Sequence, residues 1–294
     1  MYPNLTGTGV ALITPFTRSN HIDFKALYNL INMLIDHGVD YLVLLGTTGE
    51  SPTISQLENE ELLGFVKSTN AGRLPLVLGV GGNNTKALVC ELNGTDFEGI
   101  DAILSVSPYY NKPKQAGIIE HYKAIADASS RPVIMYNIPG RTGSLMLPET
   151  TLKLAEHQNI MGTKEASGSI DIISQVLKDK PADFYVISGD DNLSLPLISL
   201  GADGVISVVA NVLPALTSEM IRLALVGNFE EARKLHYQLY DFVNLLFADG
   251  SPGGAKAALS SIGLCNNYLR LPLVPVSPEH RQKIVKLYKQ LLQN

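Results

Sequence analysis

Residues 41–50 read YLVLLGTTGE. The first half, Tyr41–Leu45, is apolar without a break. A strand with one wet face alternates apolar and polar residues, so an unbroken run marks a strand covered on both faces, as in parallel sheets. The second half sets Thr47 and Thr48 between Gly46 and Gly49. A loop that only reverses the chain calls for Gly, Asn or Pro rather than adjacent threonines. The stretch therefore reads as a buried strand whose C-terminal end carries chemistry.

Working outward, seven more apolar runs are bounded by turn residues: Val10–Thr14, Leu76–Val80, Ala102–Val106, Val133–Asn137, Ile160–Lys164, Tyr185–Ser188 and Gly204–Val208. Helical patterns lie between them. Phe24, Leu27, Leu30, Ile31, Leu34 and Ile35 share one helix face, with Asp23 as a predicted N-cap and Gly38 just past the end. Residues 117–129 and 148–157 read the same way. Eight strands alternating with helices predict an α/β fold of the (β/α)8 TIM-barrel class. An open doubly wound sheet would carry a glycine-rich phosphate fingerprint after its first strand, and TPFTRSN is not one. Strand signals stop after Leu213. The rest reads as helical, broken near Gly250–Gly254 and Pro272–Pro278, and divides the chain into a barrel (1–225) and a C-terminal helical extension (226–294). No internal repeat beyond the βα unit is evident.

With 45% hydrophobic and 17% charged residues, the 294-residue chain is expected to bury a large core. The formal charge of −5 and the scattered Lys and Arg argue against nucleic acid or an anionic membrane as partner. Cys90 and Cys265 have no metal-ligand spacing and suggest no disulfide framework, which fits a reducing, cytoplasmic setting. MYPNLTGTGV has no basic segment or long apolar core of the kind a signal peptide carries. The apolar window 193–216 is interrupted by Gly201, Asp203, Asn211 and Pro214, and reads as a core strand between helices.

In such barrels chemistry sits at the C-terminal ends of the strands. Here those ends carry Thr47 and Thr48; Tyr109 and Tyr110; Tyr136 with Arg141 close behind; Lys164 and Glu165; and Ser188, Gly189, Asp190 and Asp191. All six histidines fall in predicted helices or peripheral turns, so neither a His-ligated zinc site nor a His-activated nucleophile is expected. The acidic SGDDN loop disfavours a phosphorylated substrate. What remains is a lysine at a buried strand end. Desolvation favours its neutral amine, which attacks a carbonyl to form an imine, with tyrosine available for proton transfer. Each residue also has a plain structural reading. Lys164 could pair with Glu165 at the surface, Tyr109 and Tyr110 could form a packed corner, Asp190 or Asp191 could cap a helix, and Arg141 could be an ordinary loop charge. GTTGE could be an anion nest at a helix start.

The motifs GTTGE, SPYYNKP, YNIPGRTG, GTKEASG, SGDD and GVISVVANVLP, in that order, resemble the dihydrodipicolinate synthase branch of the pyruvate-dependent lyase/aldolase superfamily. The likeness runs from about residue 5 to LRLPLVP at 269–275. It implies that Lys164 forms a Schiff base with pyruvate and that Tyr136 moves protons beside it. Thr47 and Tyr110 would complete the relay, with Tyr110 reaching across from a neighbouring subunit. Thr48 would hold the pyruvate carboxylate, the Ile206 backbone and Gly189 would contact substrate, and Arg141 would clamp the carboxylate of L-aspartate 4-semialdehyde. The implied product is 4-hydroxy-tetrahydrodipicolinate, on the route to lysine and diaminopimelate. The implied assembly is a homotetramer, a dimer of dimers, and no metal or organic cofactor is implied. N-acetylneuraminate lyase, a sugar-acid lyase of the same superfamily, is the alternative, and Arg141 argues against it. A non-catalytic keto-acid sensor would be favoured by a missing relay residue.

Two departures from the family pattern stand out. SPGGAKAAL at 251–259 replaces an NPIPVKAAL-like run, and is expected to lie away from the chemistry. Gln56, Asn59 and Ala87 stand where lysine-inhibited members carry imidazoles and a glutamate, so inhibition by L-lysine is expected to be weak or absent.

Overall fold

In the computed structural model, which describes residues 2–293, the strands close into a barrel in strict sequence order, all parallel. They are β1 (Gly7–Ala11), β2 (Tyr41–Leu44), β3 (Leu76–Gly79), β4 (Ala102–Val106), β5 (Val133–Asn137), β6 (Ile160–Glu165), β7 (Tyr185–Ser188) and β8 (Gly204–Ser207). The helices are α1 (Phe24–Asp36), α2 (Gln56–Asn70), α3 (Thr85–Gly94), α4 (Gln115–Ala128), the single turn α5 (Pro139–Thr142), α6 (Pro148–Ala155), α7 (Ile170–Asp179), α8 (Ser194–Ser199), α9 (Pro214–Leu225), α10 (Phe229–Phe247), α11 (Gly253–Ser261) and α12 (Pro278–Leu291). The α/β barrel expected from the sequence is the fold observed.

Apolar side chains form two shells. The inner one fills the barrel with residues such as Val43, Val77, Leu104, Ile134, Met161 and Ile206. The outer one lies between strands and helices and is larger. Alternation along each strand feeds both, which is why the runs carry no polar face. Asp23 caps α1 by accepting from the Ala26 N–H at 3.0 Å, and Gly38 follows the helix with φ +74°, as the sequence predicts. Beyond α9, α10 packs against α9 and α12, with Phe242 stacked on Tyr288 at 5.7 Å.

One strand begins three residues earlier than expected: β1 runs from Gly7, not Val10. Glycine and threonine lack the apolar signature, but here they are required. A side chain at Gly9 would meet the Tyr41 ring at 2.2 Å, and one at Gly7 would meet the Asp40 carboxylate at 2.2 Å.

A repeat within the βα unit also escaped the sequence reading. Gly38-Val39-Asp40, Gly99-Ile100-Asp101 and Gly201-Ala202-Asp203 precede β2, β4 and β8. In each, glycine takes a positive φ (+74°, +70° and +104°) and the aspartate accepts a backbone N–H near the start of the preceding strand. Those donors are Thr8, Leu76 and Val186, at 2.7–2.8 Å. The device fastens neighbouring strands at the barrel's N-terminal end, away from the site.

Candidate active site

The C-terminal mouth of the barrel opens into a cavity of about 440 Å³. Lys164, Tyr136, Thr47, Thr48, Arg141 and Gly189 all line it, so six of the eight residues singled out by sequence converge on one space.

Lys164 reaches the interior through an irregularity in β6. Val133 pairs with Ile160, but Ile134 pairs with Gly162, so one residue is skipped and the inside–outside alternation is reset. Tyr136 and Lys164 then become register partners facing inward, and Asn137 and Glu165 partners facing outward. The Lys164 ammonium lies 4.3 Å from the centre of the Tyr136 ring. A surface pairing of Lys164 with Glu165 is thereby excluded. Lys164 is 6% exposed, and the Glu165 carboxylate instead accepts from Asn137 Nδ2 at 3.1 Å.

Burial moves the ionisations in opposite senses. It lowers the Lys164 ammonium to about 8, with Arg141 adding to the fall and the Asp191 carboxylate opposing it. It raises Tyr136 to about 12, with Arg141 partly offsetting this. Lysine thus becomes an accessible nucleophile while tyrosine stays a protonated donor.

Thr47 and Thr48 occupy a single 3-10 turn, Thr47–Gly49, directly after β2. Thr48 is buried and Thr47 open to solvent. The turn is fastened from β1's side, where Thr14 Oγ1 donates to Gly49 O at 2.7 Å. Arg141 lies in the α5 turn, where its N–H donates to Ile138 O at 3.0 Å. Among the described residues its guanidinium makes no hydrogen bond or ion pair, and it borders the cavity as an unneutralised cation suited to a carboxylate. Gly189 leaves room for the nucleophile: a Cβ there would lie 2.9 Å from Lys164 Cε.

Two predicted residues are not brought to the cavity. Tyr110 has φ +72° and is 88% exposed, turned away from the pocket of its own chain, while its neighbour Tyr109 lines it. Ile206 is 1% exposed in the inner core, and Val208, two residues on, forms the wall instead.

The expectation that 251–259 lies away from the chemistry is corrected. Ser251 and Phe247 line the cavity, and Lys256 reaches Glu50 of the GTTGE stretch at 2.5 Å. Of Asp190 and Asp191, either of which could cap a helix by sequence, Asp190 does so by accepting from the Asn192 N–H at 3.1 Å. Asp191 is buried and accepts from Ser207 Oγ at 2.5 Å and the Val208 N–H at 3.1 Å, fixing the loop that carries Val208. The cavity also extends past Asn59 to the exposed Glu91. Glu91 lies one helical turn beyond Ala87. No group of His, Cys, Asp and Glu suited to a metal ion occurs among the described residues, and no described helix is long and apolar enough to cross a membrane.

The chain's relatives agree on one family. Residues 4–291 match the model of the dihydrodipicolinate synthetase family. A 4-hydroxy-tetrahydrodipicolinate synthase of Parabacteroides distasonis is 50% identical over 289 residues, covering 98% of this chain and 97% of that protein. The crystal structure of dihydrodipicolinate synthase from Aquifex aeolicus superposes with a TM-score of 0.93 at 42% identity, covering 97% of this chain and 98% of that one. The Acinetobacter baumannii enzyme, solved as a complex with pyruvate, gives 0.95 at 36% identity, with 98% and 99% covered.

Proposed function

The chain belongs to the dihydrodipicolinate synthetase family, and from that premise we propose that it is a lyase that condenses pyruvate with L-aspartate 4-semialdehyde to give 4-hydroxy-tetrahydrodipicolinate. The observation that carries this reading is the buried Lys164, lowered to about 8 beside Tyr136, in a cavity that also presents an unpaired guanidinium.

The neutral Lys164 amine attacks the C2 carbonyl of pyruvate, and loss of water leaves an imine. The imine withdraws electrons from C3, so a methyl proton departs and an enamine forms. Its C3 attacks the aldehyde carbon of the semialdehyde, making the new C–C bond, and the aldehyde oxygen takes up a proton. The semialdehyde's amine then adds to C2 and displaces Lys164, closing the ring. Tyr136, protonated below about 12, supplies and recovers protons next to the nitrogen. Thr48 holds the pyruvate carboxylate from the 3-10 turn, Thr47 passes protons between Tyr136 and solvent, and Arg141 holds the carboxylate of the second substrate. Gly189 keeps space for the lysine, and Val208, in place of Ile206, walls the cavity beside pyruvate.

Tyr110 completes the relay from a neighbouring copy in a homotetramer built as a dimer of dimers. Its outward, left-handed setting and 88% exposure support a role outside its own pocket. The enzyme works in the cytoplasm, in lysine and diaminopimelate biosynthesis.

The test is consumption of L-aspartate 4-semialdehyde by purified protein. Loss that requires pyruvate and vanishes in Lys164→Ala supports the assignment. Loss without pyruvate, or undiminished loss in Lys164→Ala, overturns it.

A further inference from the structure

The GTTGE stretch ends on a residue the reaction does not use. Glu50 takes a left-handed backbone, φ 56° and ψ 35°, which L side chains adopt only when held there. Its carboxylate is inaccessible to solvent and points away from the cavity into the extension. One oxygen accepts from Lys256 Nζ at 2.5 Å, the other from the Arg270 N–H at 3.0 Å.

Lys256 in turn is fully enclosed. It donates to Tyr268 O at 3.0 Å and sits 4.2 Å from the centre of the Phe16 ring. The Arg270 side chain lies over the same ring at 4.3 Å, forms an ion pair with Glu58 and donates to Thr53 O at 2.7 Å. Two carboxylates and two cations thus balance around Phe16, joining residues more than two hundred positions apart. The Glu50 and Lys256 charges, both inaccessible to solvent, add little to stability compared with well-packed apolar groups, because desolvation offsets their attraction. A fixed geometry is what they provide.

The backbone of Glu50 is the point of leverage. Its N–H donates to Thr47 O at 3.1 Å, and its C=O accepts from the Thr53 N–H at 2.9 Å. The turn that carries Thr47 and Thr48 therefore ends on a residue clamped by α11 and by the segment around Arg270. We infer that Lys256, with the Arg270 N–H, is a positioning residue for the site: by holding Glu50 it sets Thr47 and Thr48 at the pyruvate end of the cavity, making the C-terminal extension a working part of the barrel mouth. The catalytic consequence rests on the proposed pyruvate chemistry; the mechanical consequence does not.

The test uses full-length Lys256→Met, Glu50→Asp and the neutral double variant Glu50→Gln/Lys256→Met. Backbone hydrogen exchange at residues 47–50, without substrate, reads the clamp directly. The expected result is faster exchange there in all three, with exchange in β4, β5 and β6 unchanged. In the same proteins KM for pyruvate rises about tenfold or more while kcat falls by a smaller factor. Lys256→Met leaves a buried carboxylate unpaired and could lose its fold. The double variant removes both charges, so its thermal midpoint returns towards that of the natural protein while its KM for pyruvate stays raised. A double variant with natural exchange at 47–50 and natural KM would overturn the inference, reducing the pair to a part of the core. If the natural protein forms no imine with pyruvate, the function proposal fails by itself, and the exchange data still decide whether Lys256 holds the turn.

Discussion

Replacing Gly189 with alanine would put a methyl group where Lys164 lies. The added carbon would stand 2.9 Å from Lys164 Cε, 3.1 Å from its Cγ and 3.0 Å from Ala166 Cβ. Apolar carbons rest at ~3.5–4.0 Å, so the lysine chain would have to withdraw by roughly 0.5–1 Å. The lysine chain is flexible and its far end borders a cavity, so most of the displacement falls on the nucleophile. The contact with Ala166 Cβ is fixed to the backbone and should cost a modest part of the thermal stability. A reacting atom misplaced by ~1 Å loses about 10²-fold in rate. The assay is the rate of borohydride-trapped imine formation with saturating pyruvate, beside the thermal midpoint of the same samples. Imine formation within about threefold of the natural rate, less than 1 kcal/mol of barrier, would refute the idea that Gly189 is kept to clear the path of Lys164.

The remaining predictions concern charge. With its pKa at about 8, Lys164 is ~10% neutral at pH 7, against ~0.03% for an ordinary lysine. Trapping should rise with pH and level off above about 8, because the lowered pKa releases the proton early; a rate still climbing at about pH 10, the ordinary lysine value, would contradict this. Asp191→Asn removes the carboxylate that favours the ammonium, so the profile should move to lower pH, and a shift to higher pH would rule out that role. Arg141→Ala should move the pH profile of imine formation upward, since Arg141 helps to lower Lys164, and leave its plateau rate nearly intact, while use of the semialdehyde weakens by ~10–100-fold, the worth of a charge-assisted pair of ~1.5–3 kcal/mol; equal damage to both steps at the plateau pH would refute the clamp. L-Lysine should give half-inhibition only above roughly 1 mM, an affinity of about 4 kcal/mol. Stronger inhibition would mean that Glu91 takes up the ammonium that Ala87 cannot.

The sequence carried the barrel because burial on both faces leaves unbroken apolar runs, and these need no knowledge of their neighbours. It misplaced the start of β1 because Gly7 and Gly9 are chosen for what they leave out, room for Asp40 and the Tyr41 ring, and an absence of side chain has no hydrophobic signal. The site was legible where residue type is itself unusual, as with a lysine or paired threonines at a strand end. What Lys164 faces was not legible, since it depends on the skipped residue in β6, and shifting register by one reverses every side chain. Glu50, Lys256 and Arg270 were invisible for a different reason. Their meeting spans the whole chain, and each alone is an ordinary surface charge by type. Ile206 and Val208 differ by two positions on one strand end, a distinction set by how far the inner core rises.

The proposed chemistry turns on Lys164 as the nucleophile. The most direct measurement is to incubate the natural protein with pyruvate, reduce with borohydride and locate the adduct by peptide mass spectrometry. One pyruvate-derived adduct per chain is expected, on the peptide carrying Lys164, and none in Lys164→Ala. An adduct on another lysine, or none at all, would contradict it.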